Sequence, residues 1–281
     1  MSKNYQIIAL ILVLIIIVSG VIWIKTPHLS SGITLNCEIP ETPEQLAKLV
    51  FVKEMYDNRE AYLFAQQFAG FSGYTWGRNS IDRHELYYGL YNLTFYGVGI
   101  RNFEFNMPFK ERYKTNLLTE AQCIEKANQL INDMKEYFNS SLEYRVRKVN
   151  LVYPYTGPNG ITSLNIRHYK IFYDIYSGGV ELLGKGTDAW VEVCDKEILG
   201  YQLHFPILEE RGYDKVYLTP IEALNRLESA SVVNEVKFGY YTNFLNSENY
   251  SNIEYGYLIN GVLEGDLMQT FVPAMAGNVY K

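Results

Sequence analysis

From Tyr173 to Phe205 the chain reads YDIYSGGVELLGKGTDAWVEVCDKEILGYQLHF. No helix of useful length fits here, because turn-forming residues recur every few positions. Ile171 to Tyr176 is rich in aromatic and β-branched residues and alternates imperfectly. Ser177-Gly178-Gly179 supplies the positive φ angles of a tight hairpin, and Gly184-Lys185-Gly186 marks a second turn or bulge. Ala189 to Val193 alternates again, Asp195-Lys196 turns, and Ile198 to Phe205 returns. The stretch is an antiparallel meander without a catalytic-looking residue. Side chains alternate along a strand, so Val191 and Val193 share one face and Trp190 and Glu192 the other. The glutamate marks the Trp190 side as the one facing solvent, and the valines are expected to face a helix.

That helix starts at Thr119. Thr119-Glu120-Ala121-Gln122 and Thr219-Pro220-Ile221-Glu222 are capping boxes, each preceded by a leucine placed as a hydrophobic staple (Leu118, Leu218). Asp57-Asn58-Arg59-Glu60 has the same form. The helices expected from these starts cover Glu60–Phe68, Gln122–Tyr137 and Glu222–Leu227. The middle one carries Cys123, Ala127, Leu130, Ile131 and Met134 on one stripe. After each helix the hydrophobic period switches to that of strands. They are expected at Glu85–Phe105 after the first, at Tyr144–Tyr155 and Leu164–Tyr176 after the second, and at Val232–Tyr241, Ile253–Ile259 and Leu267–Val272 after the third. Asn260-Gly261 and Glu264-Gly265-Asp266 read as turns. The pattern predicts an α+β fold of repeated units, each one helix packed on an antiparallel β-sheet. The units divide as 43–110, 111–212 and a short third at 213–281, after a linker at 26–42.

Residues 1–25 are expected to form an anchor. Ile7 to Ile24 is apolar except for Ser19 and Gly20, with Lys3 and Lys25 on either side. Eighteen helical residues span about 27 Å, enough for a bilayer's hydrocarbon core. The alternative is a signal peptide cleaved at Val18-Ser19-Gly20. The run continues through Val21-Ile22-Trp23-Ile24, with Trp23 suited to an interface, and this favours one N-terminal transmembrane helix. The six residues before it are most simply left inside, which places everything after Lys25 outside the cytoplasm. A net charge of −6 for the whole chain argues against binding nucleic acid or an anionic lipid surface.

A helix opening with Leu118-Thr119, a Gly178-Gly179-Val180 turn leading to Gly184-Lys185-Gly186, and the valine-rich strand after it resemble the PepSY fold. Val180 to Gly186 and the closing stretch Tyr217–Val272 are also similar to membrane-anchored extracytoplasmic regulators of the YycH/YycI type. The resemblance implies helix-plus-sheet modules outside the membrane, behind a single anchor. It implies binding or inhibitory modules without catalytic residues, acting on a protein or peptide partner at the cell envelope.

The residues themselves offer little chemistry. Four histidines are scattered. His84-Glu85 invites a zinc-helix reading, but the position four residues on is Tyr88. Gly70-Phe71-Ser72-Gly73 lacks the spacing of a nucleophile elbow and reads as a helix C-cap glycine and turn. Glu209-Glu210 and Glu264 with Asp266 read as solvated turn acids. No glycine-rich phosphate loop precedes a helix. Cys37, Cys123 and Cys194 lack metal-site spacing, and either one disulfide or three buried thiols suits them. No catalytic residue, cofactor or metal is expected.

The chain holds 25 tyrosines. Tyrosine suits half-exposed sheets, and it is also a common contact residue in recognition surfaces. Trp190, Tyr240, Tyr241, Tyr255 and Tyr257 form the candidate partner surface. The expected function is a non-catalytic, membrane-anchored extracytoplasmic module that binds and regulates a protein or peptide. The alternative is a cell-surface glycan binder, using exposed aromatics as stacking platforms, and an unrecognised enzyme ranks behind both.

Overall fold

The structure, a computed structural model, describes residues 28–51, 57–80, 83–96, 100–105, 118–152, 168–184, 187–195, 197–227, 231–241 and 253–275. The apolar Ile7–Ile24 run, its alternative cleavage site and the Lys185-Gly186 pair lie outside them. Among the described residues no helix is long and apolar enough to cross a membrane.

The described chain is mainly β, and this corrects the α+β expectation of repeated helix-on-sheet units. More than half of the described residues lie in strands and fewer than a fifth in helices. The strands are not partitioned among three small sheets. They join one large mixed sheet and a separate two-stranded one. The three capped helices begin where the sequence predicts, but their number does not count the sheets.

Two compact units divide the chain. The larger comprises Gln45–Lys215 and Phe238–Gly256. In chain order it contains β2 (Gln45–Phe51), α1 (Asn58–Phe68), β3 (Thr75–Asn79), β4 (Arg83–Tyr88), β5 (Tyr91–Tyr96) and β6 (Ile100–Phe105). Then come α2 (Glu120–Tyr137), β7 (Glu143–Val152), β8 (His168–Ser177), β9 (Val180–Leu183), β10 (Ala189–Cys194), β11 (Glu197–His204) and β12 (Leu208–Lys215). The meander read from the sequence is present: β8 pairs antiparallel with β10, and β10 with β11. β7 flanks β8 on its other side. The sheet then continues from β11 through β6, β5 and β4 to β3. The strands assigned to the first module are therefore joined to the meander by the β6–β11 ladder, Gly200 opposite Glu104 and His204 opposite Ile100. β2 and β12 pair antiparallel with each other.

All three helices among the described residues are capped as the sequence predicts. The Asp57 carboxylate accepts from the backbone N–H groups of Arg59 and Glu60 at 2.9 and 3.0 Å, and Glu60 accepts from the Asp57 N–H at 2.9 Å. Thr119 and Gln122 repeat this at 3.3 and 2.9 Å. α2 buries Cys123, Ala127, Ile131 and Met134 against β8 and β10, with Leu130 half-buried at the margin. The sheet answers with Ile171, Tyr173, Ile175, Val191 and Val193, all at most 1% exposed. Aromatic packing joins the helix ends: Phe64 of α1 stacks on Phe138 at 5.6 Å, and Phe138 on Phe205 at 5.2 Å.

The smaller unit comprises the described parts of Met1–Glu44, Val216–Lys237 and Tyr257–Lys281. It holds β1 (Thr34–Leu35), α3 (Pro220–Leu224), the first part of β13 (Ser231–Tyr241), most of β14 (Glu254–Leu263) and β15 (Asp266–Pro273). β1 runs parallel to β13, Thr34 opposite Val232. α3 has five residues, shorter than the expected Glu222–Leu227 helix, and ends at Asn225. That asparagine's amide donates to the His28 carbonyl and accepts from the Ser30 N–H, each at 2.7 Å. Asn260-Gly261 is not a turn but the interior of β14, and the turn falls at Glu264-Gly265, both with positive φ. The glycine is there for contact: a Cβ at position 261 would lie 2.2 Å from the Val232 carbonyl oxygen.

Candidate functional site

In the larger unit, β8 and β10 carry α2 on one face, and together with β7 they carry a polar, aromatic surface on the other. The alternation predicted for β10 holds for direction. Val191 and Val193 face α2, while Trp190 and Glu192 share the opposite face with Lys170 and Phe172, their cross-strand neighbours. The environment of Glu192 differs from expectation. It is only 8% exposed, lies 3.0 Å from Lys170 Nζ and has His168 Nε2 at 3.6 Å. Both partners come from β8, so Glu192 is an embedded anion with cationic or protonatable groups around it.

Around this carboxylate the face is organised by cation–π contacts. Lys170 Nζ lies 3.6 Å from the centroid of the Trp190 ring and 5.7 Å from that of Phe172. Lys170 is thus held between Glu192 and two aromatic rings, and Trp190 is half-buried beneath it. Arg147 lies 5.9 Å over Phe172 and reaches Asp174 at 3.4 Å and Asp188 at 3.5 Å. Arg145 sits 4.0 Å over Tyr176 and pairs with Glu143 at 2.8 Å. Three cations stand over three rings along one sheet face. The outer members remain solvated: Arg145, Arg147 and Asp188 keep 53%, 42% and 72% of their side-chain exposure. An Arg or Lys over an aromatic face is restrained without being withdrawn from solvent, so such a surface meets a partner with part of its side-chain entropy already lost.

The tyrosines proposed as contacts do not join this face. Tyr240, Tyr255 and Tyr257 are buried, which corrects their placement on a partner surface. Tyr240 donates to the Ala47 carbonyl at 2.6 Å, and Tyr255 to the Lys215 carbonyl at 3.0 Å. In the smaller unit Tyr257 donates to the Leu218 carbonyl at 2.7 Å. Burial pushes the ionisation of the Tyr240 and Tyr257 hydroxyls upward, as it does for Tyr173. These rings are core, with the hydroxyl satisfied by backbone. Tyr241 is half-buried at the end of β13. Of the five residues, Trp190 alone stands on the cation–π face. Arg145, Arg147 and Lys170 are not among the residues that the sequence singles out, although Arg-x-Arg and Lys-x-Phe at alternating positions are the spacing that places such groups on one side of a strand.

His204 is fully buried, with Nε2 3.0 Å from the Asp188 carbonyl oxygen. His84 lies 2.6 Å from Asn79 Oδ1 with its ring against Trp76. Among the described residues no three of His, Cys, Asp and Glu gather as a metal site. Cys37, Cys123 and Cys194 form no disulfide, and Cys123 and Cys194 are buried while Cys37 is half-buried.

No protein-family model matches this sequence, and no curated protein does. Among solved structures, YycH from Bacillus subtilis overlaps 82% of this chain at 13% identity with a TM-score of 0.45. The chain spans 53% of that protein's length. The Bacillus megaterium YpeB C-terminal domain overlaps 80% of this chain, and 95% of that domain, at 13% identity with a TM-score of 0.37. Both are distant, partial overlaps.

Proposed function

We propose that this chain is a non-catalytic binding module that engages a protein or peptide partner through the β7–β8–β10 face. The carrying observation is the cation–π array, Arg145 over Tyr176, Arg147 over Phe172 and Lys170 over Trp190. Arg and aromatic residues dominate protein recognition because they give large contact area and directional polar contacts together. The acids beside them, Asp174, Asp188 and Glu192, fix where the cations stand. The partner acts outside the cytoplasm, with the module held at a membrane by the Ile7–Ile24 run. That part of the reading rests on the sequence: the full chain is expected to stay in carbonate-washed membranes, and its release by the wash would overturn it.

The test is cross-linking and capture by the full-length chain, compared with Trp190→Ala and Arg147→Ala. Both variants are expected to lose one defined partner while keeping the melting temperature. Equal capture by both would refute the assignment of this face. Retention of cell-wall glycan instead of a protein, lost in Trp190→Ala, would replace the proposed partner class by the glycan alternative.

A further inference from the structure

In the smaller unit, β15 follows β14 through the Glu264-Gly265 turn and is the outermost strand on that side of the large sheet among the described residues. The backbone of an outermost strand is a template for another strand, and proteins blunt such edges with charges, bulges or proline. β3 and β7 also have no further strand beyond them among the described residues, and both are blunted. β3 has a register shift between Trp76 and Asn79 and includes Arg78. β7 shifts between Val146 and Lys148 and includes Arg145, Arg147 and Lys148. β15 differs. Its sequence is DLMQTFVP, with no charge after Asp266 and no proline before Pro273. Leu267, near its start, is 94% exposed, and Gln269 is exposed as well.

Alternation sorts the strand into two faces. Leu267, Gln269 and Phe271 share one, and Met268, Thr270 and buried Val272 share the other. On the first face a line of polar side chains crosses the sheet to its edge. Asn260 of β14 donates to Glu235 of β13 at 2.7 Å, and Gln269 donates to Asn260 at 2.9 Å. A glutamine amide has a second N–H and a carbonyl oxygen, so the line reaches the edge able to join one more amide. A second Gln269 offers the matching donor and acceptor. About a two-fold axis through Gln269, perpendicular to the sheet, two antiparallel copies of β15 set Gln269 opposite Gln269. The same register sets Met268 opposite Thr270 and Leu267 opposite Phe271. Exposed Leu267 then gains an aromatic neighbour, and no charge meets a like charge, since Asp266 comes opposite Val272. Every pair away from the axis is made twice, as in any isologous contact.

We infer that β15 pairs antiparallel with β15 of a second copy of this chain, extending the sheet across a two-fold axis at Gln269. This stands independently of the Trp190 face, which lies in the larger unit. The experiment is sedimentation of the full-length chain in density-matched detergent over a concentration series. It compares the parent with Gln269→Lys, Gln269→Glu and an equimolar mixture of the two variants. The parent should become dimeric as concentration rises. Each variant alone opposes like charges at the axis, and its dimer should dissociate at least roughly ten-fold more readily. The mixture sets a lysine opposite a glutamate and should restore the dimer. Leu267→Lys changes a side chain that the single chain leaves in solvent, so it keeps the fold and should weaken the dimer roughly five-fold. A parent that stays monomeric up to about 0.1 mM would overturn the inference, whether or not another protein's strand binds the edge. So would a dimer that none of the three substitutions weakens, the result expected if residues 1–25 alone drive association. A mixture no more dimeric than its two components would overturn it as well.

Discussion

A phenol placed in a protein interior with its hydroxyl on a carbonyl is a stabilising group only while it keeps its proton. Tyr173 donates to Asn128 Oδ1 at 3.0 Å and Tyr240 to the Ala47 carbonyl, and burial holds both hydroxyls well above the ordinary tyrosine range. The folded pKa is raised, so the unfolded chain releases these protons first. The stability they contribute is complete below about pH 10 and is lost as pH climbs from there towards the folded value. A melt series should be level up to that pH and then fall, and Tyr173→Phe or Tyr240→Phe should blunt the fall. Each should cost about 0.5–1.5 kcal/mol at neutral pH for the lost hydrogen bond. A fall as steep in the double Phe variant as in the parent would remove these two groups from the account. Glu192 is a separate case. Its place beside Trp190 was legible from alternation, but its burial was not. Lys170 and His168 reach it across the β8–β10 ladder, from more than twenty positions back in sequence. Glu192→Ala is therefore expected to destabilise by about 1–3 kcal/mol, because it leaves Lys170 and a buried imidazole without their carboxylate. A thermal melt within half a degree of the parent would show the carboxylate to be dispensable.

Elements were legible where their signal is local. A capping box is four adjacent residues satisfying one another, so Asp57, Thr119 and Thr219 could be placed without any knowledge of the rest of the fold. Thr119→Ala removes the acceptor for the Gln122 N–H from an 18-residue helix whose stripe covers β8 and β10. It should lower stability by about 0.5–2 kcal/mol. Thr219→Ala should cost less, because Pro220 still presets the first turn and α3 is only five residues long. Thermal denaturation of the two variants decides it, and the reverse order would mean that α3 matters more than its length implies. Pairing of strands was legible only between neighbours. The β8–β10–β11 meander could be read from its turns, whereas β6 against β11 and β1 parallel to β13 join residues about a hundred or more positions apart. No period in either strand records its partner. Gly261 shows the limit from the other side: beside asparagine it has the composition of a turn, and only the Val232 carbonyl explains it.

For the whole chain, three helix starts suggested three consecutive modules, while the compact units are discontinuous. β13 and β14 are each divided between them: Phe238–Tyr241 and Glu254–Gly256 belong to the larger unit, and the rest of both strands to the smaller. A cut after Gly212, at the expected end of the second module, would therefore take part of the larger unit away. Gly239 to Tyr241 run parallel to Glu181 to Leu183 of β9, so close that a Cβ on Gly239 would lie 2.3 Å from the Glu181 carbonyl oxygen. Without them β9 loses a partner strand, Ala47 loses the Tyr240 hydroxyl, and the space filled by Tyr240 and Tyr255 is emptied. Removing one large buried aromatic costs about 3–5 kcal/mol. For a unit of this size, each kcal/mol lowers the melting temperature by roughly 2–4 °C. The fragment ending at Gly212 should thus melt more than about ten degrees below the full chain, or without a cooperative transition, and should bind a hydrophobic dye. Three consecutive modules would predict the opposite, a fragment as stable as the parent. A cooperative melt within a few degrees of the full chain would restore that arrangement and make the division of β13 and β14 irrelevant to stability.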